Sequence, residues 1–160
     1  MLNFKKFLQD NMEEEKEDIQ KTLSKLPKAH SDLVRGYKWK FHAGNTLNGD
    51  DKHVGYMDKY SKEIAIAAPW NFSREFTILH EIAHLVYERL SKEIKNQWSS
   101  VVKKNFEKQT QENPEAKDSL KQIPEEIFCH CYANFYSKHK NATYNNPEWM
   151  GFIRTLHNAI

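Results

Sequence analysis

The stretch REFTILHEIAHLVYERL, residues 74–90, decides how the rest of the chain is interpreted. Its apolar residues recur at helical spacing, which predicts an amphipathic helix that is largely buried. His80 and His84 lie one turn apart on its narrow polar stripe. Two imidazoles in this arrangement can both reach one zinc ion at about 2.0–2.1 Å. The stretch therefore predicts a helix that carries half of a metal site.

Glu81, between the two histidines, points about 100 degrees away from them around the helix. It cannot easily bind the same ion, but it can reach a water beside it, as a general base must. A His-Glu-x-x-His string arises by chance in roughly 4% of chains of this size and composition, so the string alone does not decide the matter. The buried setting favours zinc, because two buried histidines without partners would be destabilising.

A catalytic zinc takes three protein ligands and leaves one position for water. Tyr87 and Leu90 occupy the positions, three and six residues after the second histidine, where one known type of site has glycine and histidine. A glutamate on a later helix is the remaining common option, and PEEIFCHCYANFY supplies Glu126, with His130 one turn further on the same face. We therefore expect Glu126 to be the third ligand. His130 itself and Glu125 remain alternatives, although a first-turn acid such as Glu125 also suits a helix dipole.

The order of helical and alternating patterns predicts an α+β fold in a single domain, residues 1–160. A small, mostly antiparallel sheet of about three or four strands is expected to pack on the central helix, among further helices. We predict a polar helix over residues 1–27, a core over residues 33–140 and a helical tail over residues 141–160. The predicted strands are YKWKF, VGYMD and EIAIAAP, with a turn at Asn48-Gly49, a helix cap at Asn71 or Ser73, a break at Asn113-Pro114 and a helix start at Pro124.

Composition excludes several classes of function. The chain has 24 basic and 22 acidic residues and a formal charge of +2, which argues against a nucleic-acid-binding surface. We find neither a signal-peptide pattern nor an apolar run long enough to cross a bilayer. Cys129 and Cys131 form no disulfide framework, and we expect ordinary buried thiols. These features predict a cytoplasmic protein without nucleic-acid or membrane partners, and they leave its oligomeric state open.

The segments HVGYMD, EIAIAAP, HEIAH and EEIFCHCYANF follow one another in an order that resembles the glutamate-zincin metallopeptidases. The similarity is greatest to the compact lethal-factor-type and phage or mobile-element peptidase domains. It covers roughly residues 33–140 and places Glu126 at 42 residues after His84. The resemblance implies a zincin-like fold and a bacterial or phage origin.

The resemblance also implies a mechanism. One zinc ion would be held by the two histidines and Glu126, and Glu81 would act as general base in the hydrolysis of a peptide bond. The partner would be a protein or peptide substrate. As an exposed edge, the strand at residues 63–67 could bind an extended substrate by strand addition; the alternative is an ordinary strand of the sheet.

Two positions depart from the family pattern. His130 stands where the family has a further acid near the zinc, and Ser119 stands where lethal-factor-type enzymes have a tyrosine that donates to the transition state. Tyr132, Tyr136, His130 or His139 could replace that donor. The alternative hypotheses are a catalytically weak, zinc-stabilised structural or regulatory protein of a phage or mobile element, and a different hydrolase that uses the same metal centre.

Overall fold

The computed structural model describes residues 4–42, 55–67, 74–112, 124–138 and 140–158. Within these ranges it contains six α-helices and one three-stranded sheet, so the predicted α+β class is confirmed. The elements are α1 (Phe4–Leu23), α2 (Lys28–Asp32), β1 (Lys38–His42), β2 (Gly55–Asp58), β3 (Glu63–Ala67), α3 (Arg74–Arg89), α4 (Lys92–Glu112), α5 (Pro124–Tyr136) and α6 (Pro147–Thr155), with short 3-10 turns at Ala142–Tyr144 and Leu156–Asn158.

The sheet differs from the mostly antiparallel sheet that the sequence predicted. Its order is β1-β3-β2, with β1 parallel to β3 and β2 antiparallel to β3. Trp39 of β1 pairs with Ile64, and Tyr56 of β2 pairs with Ala65. The sheet is therefore mixed, with one parallel and one antiparallel pair.

The strand β3 lies at the centre of the described sheet, so its prediction as an exposed edge is wrong. Its residues from Ile64 to Ala67 are completely buried. Consecutive apolar residues without a polar alternation are typical of a strand that is covered on both faces. The edge that lies beside α3 is β2 instead, whose first residue, Gly55, packs on that helix.

Helices α3 and α5 pack face to face and form the centre of the hydrophobic core. Ile78, Leu79 and Ile82 of α3 are fully buried in the same cluster as Ile127 and Phe128 of α5. Because these side chains fix the two helices against each other, they also fix the polar residues that the two helices carry between them.

Two contacts position the starts of these helices. The guanidinium of Arg74, at the start of α3, donates to Asp18 of α1 at 2.8 Å. Trp98 of α4 is fully buried, and its indole Nε1 donates to the backbone carbonyl of Pro124 at 2.7 Å. Pro124 begins α5, as its sequence position predicts. The predicted turn at Asn48-Gly49, the helix cap at Asn71 or Ser73 and the break at Asn113-Pro114 lie outside the described residues.

Candidate metal centre

The facing sides of α3 and α5 bring His80, His84 and Glu126 together. His80 Nε2 lies 3.4 Å from Glu126 Oε2, and His84 Nε2 lies 3.5 Å from Glu126 Oε1. All three side chains are partly buried, with exposed fractions of 14%, 18% and 35%. The three residues that the sequence singled out as ligands therefore meet in one cluster, which retains access to solvent on the side of Glu126.

The contacts of Glu126 with His80 and His84 are longer than ordinary hydrogen bonds. A strong N–H···O hydrogen bond has a nitrogen-to-oxygen distance of about 2.9 Å, so both contacts of Glu126 are long for hydrogen bonds. Two ligand atoms that share one tetrahedral ion at about 2.1 Å lie about 3.4 Å apart. Each of the two separations is close to that second value, and the two contacts are made to different oxygens of the Glu126 carboxylate. Imidazole nitrogens and a carboxylate oxygen are also the donors that zinc takes in proteins, so the residues present fit the ion.

Glu125 has a contact that the sequence did not predict. Its Oε1 lies 2.9 Å from His84 Nδ1, the ring nitrogen on the other side from Glu126. A carboxylate that accepts the Nδ1 proton fixes the ring and leaves Nε2 with its lone pair free for a metal. Glu125 is thus placed to orient His84, whereas the sequence left it as an alternative metal ligand or as a first-turn acid that suits the helix dipole. The contact could not be read from the sequence because it depends on how α5 is rotated against α3.

Two further side chains of α5 complete what we call the donor cluster: His80, His84, Glu126, Cys129 and His130. Two sets of three contribute ligand atoms that all lie within 4.8 Å of one another, namely His80 with His84 and Cys129, and His80 with Glu126 and His130. Neither set is the predicted one, which consists of His80, His84 and Glu126. In the predicted set each histidine faces a different oxygen of the Glu126 carboxylate. The cluster therefore offers more donors than a three-ligand zinc site needs.

His130 lies inside the donor cluster but is less accessible than Glu126. Its ring centroid is 4.5 Å from that of His80, and its other face stacks on Tyr144 at 4.3 Å with an interplanar angle of 11°. Burial lowers the pKa of His130 to about 3, and the neighbouring His80 adds to this effect. The ring is neutral at ordinary pH, which is the form that binds metals.

The tyrosines that the sequence proposed as transition-state donors are engaged elsewhere. The hydroxyl of Tyr132 lies 2.9 Å from Nδ1 of the buried His30, and the hydroxyl of Tyr136 lies 2.9 Å from Nδ1 of His157. Tyr144, which stacks on His130, is the tyrosine that the sequence missed, and it follows α5 in a short turn where helical periodicity gives no signal. Ser119 and His139 lie outside the described residues.

Glu81 is buried, with only 5% of its surface exposed. Burial, together with the negative charge of Glu126, raises the pKa of the Glu81 carboxyl to about 8. The strand β2 passes directly over this side chain: a Cβ atom built on Gly55 would lie 3.0 Å from Glu81 Cδ and 2.9 Å from Thr77 Cγ2. The added Cβ would come closest to Glu81 Oε1, so a larger residue at this position requires β2 or the Glu81 side chain to shift.

A comparison of this chain with protein-family models, curated proteins and solved structures finds no match. The resemblance to glutamate-zincins therefore remains a prediction from the motifs. None of the helices in the described ranges is long and apolar enough to cross a membrane.

Proposed function

We propose that this protein is a zinc-dependent metallopeptidase that hydrolyses peptide bonds, with one zinc ion held by His80, His84 and Glu126. The observation that carries the proposal is the position of the Glu126 carboxylate, 3.4 Å from His80 Nε2 and 3.5 Å from His84 Nε2. These separations suit ligands of a common ion better than hydrogen bonds. Glu125 supports the same arrangement because it holds the far side of the His84 ring.

A bound zinc ion would supply a Lewis acid for the peptide carbonyl and would lower the pKa of a water in its open position. The remaining chemistry belongs to Glu81. With its pKa raised to about 8 by burial, this carboxyl holds a proton more firmly than an ordinary glutamate. A nearby cation would shift the balance towards the carboxylate. Glu81 is thus suited to accept a proton from water and to pass it to the leaving amine.

The strand β2 is the natural place for an extended substrate. Among the described strands it pairs with β3 alone, and Gly55 at its start touches Glu81. A peptide that added to the side of β2 facing away from β3 would lie about 4.8 Å from it, and its backbone would run beside the buried carboxyl. This proposal replaces the earlier expectation that β3 binds the substrate, since β3 is central.

The first experiment compares the purified wild-type protein with Glu81→Gln on an unfolded protein substrate and a broad peptide library, with zinc content measured on both. We expect about one zinc per chain in each protein, and hydrolysis by the wild type alone, because the amide cannot accept the proton. His80→Ala and His84→Ala should lose the metal. Equal inertness of wild type and Glu81→Gln, with zinc bound, would contradict a peptidase; wild-type metal content in both histidine variants would contradict the site.

A second candidate is a zinc-stabilised protein without catalytic activity. Cys129 favours it, because a thiol near the two histidines could provide a fourth protein ligand, and structural zinc sites are closed by four such ligands. Hydrolysis by both the wild type and Cys129→Ala separates the two candidates, since a purely structural site would bind zinc and leave the substrates intact in both proteins.

A further inference from the structure

We propose that Cys129 is also a zinc ligand, and that its thiolate closes the site with four protein ligands in the resting protein. The proposal rests on the proposed function, because it concerns the same metal centre. It assigns a role to a residue that the sequence treated as an ordinary buried thiol. Its basis is the position of Cys129 within the donor cluster and the chemistry of sulfur as a ligand.

The position of Cys129 is the first argument. Its sulfur and one nitrogen from each of His80 and His84 lie within 4.8 Å of one another. Two ligands of a tetrahedral zinc, one nitrogen and one sulfur, lie about 3.6 Å apart, so side-chain adjustments of about 1 Å bring all three to a common ion.

The burial of Cys129 is the second argument. Cys129 is completely buried, whereas 35% of the Glu126 side chain is exposed. The sulfur is therefore an interior donor of the cluster, whereas the Glu126 carboxylate is open to solvent. A ligand side chain that is buried in the core is held in place by packing, so it loses little conformational freedom when it binds the metal.

The chemistry is the third argument. When Cys129 binds, its S–H bond breaks, a sulfur–zinc bond of about 2.3 Å forms, and the proton leaves to solvent. A dication in the donor cluster deprotonates a coordinating thiol. A soft thiolate also favours zinc over magnesium, calcium or manganese.

Cys131 provides a matched control in the same helix. It is equally buried, but its sulfur points to the backbone carbonyl of Tyr144 at 3.8 Å. It belongs to neither set of potential ligands in the described part of the chain. Cys131→Ala and Cys129→Ala therefore remove the same atoms from the same helix, and only the second should change the metal centre.

The test is the absorption spectrum of the full chain loaded with cobalt(II) in place of zinc. We expect an intense near-ultraviolet band from thiolate-to-cobalt charge transfer in the wild type and in Cys131→Ala, and its loss in Cys129→Ala. Zinc affinity should fall at least about 10-fold in Cys129→Ala, since even the loss of an outer partner of a ligand weakens metal binding about 10- to 100-fold. Hydrolysis should rise in this variant because its fourth position is open to water.

A cobalt complex without the band, or a band that persists in Cys129→Ala, would overturn the assignment of Cys129 and leave the proposed function standing. A wild type that hydrolyses the substrate as fast as Cys129→Ala would overturn the closed resting site. Loss of the band without hydrolysis by either protein would overturn the peptidase and leave Cys129 as a ligand. A wild-type chain that binds neither cobalt nor zinc would overturn the proposed function as well. If Cys129→Ala does not fold, X-ray absorption at the zinc edge of the wild type decides, since a sulfur at about 2.3 Å is required.

Discussion

Replacing Gly55 with alanine tests how closely β2 covers the carboxyl of Glu81. The added Cβ would lie 2.9 Å from Thr77 Cγ2 and 3.0 Å from Glu81 Cδ, whereas ordinary contact begins at 3.4 Å. The closest atom to the added Cβ is Glu81 Oε1, so the shortfall is about half an ångström at Thr77 Cγ2 and larger at the Glu81 carboxyl. Both side chains are buried. Neither side chain can turn into solvent without leaving the interface between α3 and β2, so the strand or Glu81 must move.

The expected effect can be given for both stability and activity. Overpacking of a buried position typically costs about 1–3 kcal/mol, which in a chain of 160 residues lowers the melting temperature by roughly 2–12 °C. A misplacement of about 1 Å can reduce a catalysed rate about 100-fold. We expect hydrolysis by Gly55→Ala to fall by about 10- to 100-fold, with zinc content unchanged because no metal ligand is touched.

The assay is thermal unfolding of both proteins, followed by zinc analysis and hydrolysis of an unfolded protein. Gly151→Ala is the matched control, because Gly151 lies inside α6 and a Cβ there has nothing within 4 Å. Alanine in a helix interior is more stable than glycine by about 0.5–1 kcal/mol, so the control should melt at a higher temperature. Wild-type stability and activity in Gly55→Ala would refute the close approach of β2 to Glu81.

Three other predictions address the site and its supports. Glu126→Ala should weaken zinc binding more than Glu125→Gln does, as measured by competition with a chelator. Glu125 acts only through His84, so its loss should lower zinc affinity by about 10- to 100-fold. Equal affinities of the two variants would contradict the assignment of the third ligand. Burial and the nearby His157 lower the pKa of His30 from 6.5 to about 4, so the unfolded chain takes up this proton first as the pH falls. The free energy of unfolding of the metal-free wild type should therefore fall by up to about 3 kcal/mol between about pH 6.5 and 4, and that of His30→Gln should not show this loss. Parallel profiles of unfolding free energy against pH for the two proteins would contradict this role of His30. Trp98→Phe should lower the unfolding free energy by about 2 kcal/mol in chemical denaturation, because it removes buried volume and the donor to the Pro124 carbonyl; an unchanged midpoint would contradict the role of that bond.

The sequence predicted the two helices of the site because each carries its own signal. Helix α3 has a long apolar periodicity, and α5 begins at a proline in the favoured first position. Their polar faces could be expected to meet once a third zinc ligand was required. Which of two adjacent glutamates faces which nitrogen of His84 could not be predicted, because neighbouring residues point about 100 degrees apart and only packing sets the rotation of a helix.

Local sequence patterns predicted the strands of the sheet but not their order. Alternating and apolar runs located all three strands within a residue or two. They did not reveal that β3 lies between β1 and β2, because the order of strands depends on contacts between distant parts of the chain. The completely apolar run from Ile64 to Ala67 was the available indication of a central strand. The position of Tyr144 beside His130 had no comparable signal.

The two halves of the donor cluster are separated by 42 residues of sequence, from His84 on α3 to Glu126 on α5. An unfolded chain does not hold these groups together, so zinc bound by the folded protein would shift the folding equilibrium towards it. With free zinc at 100 times the dissociation constant, the gain is about 2.7 kcal/mol. The lifetime of the folded protein would then follow the zinc concentration around it, and a chain that had lost its metal would become a better substrate for other proteases.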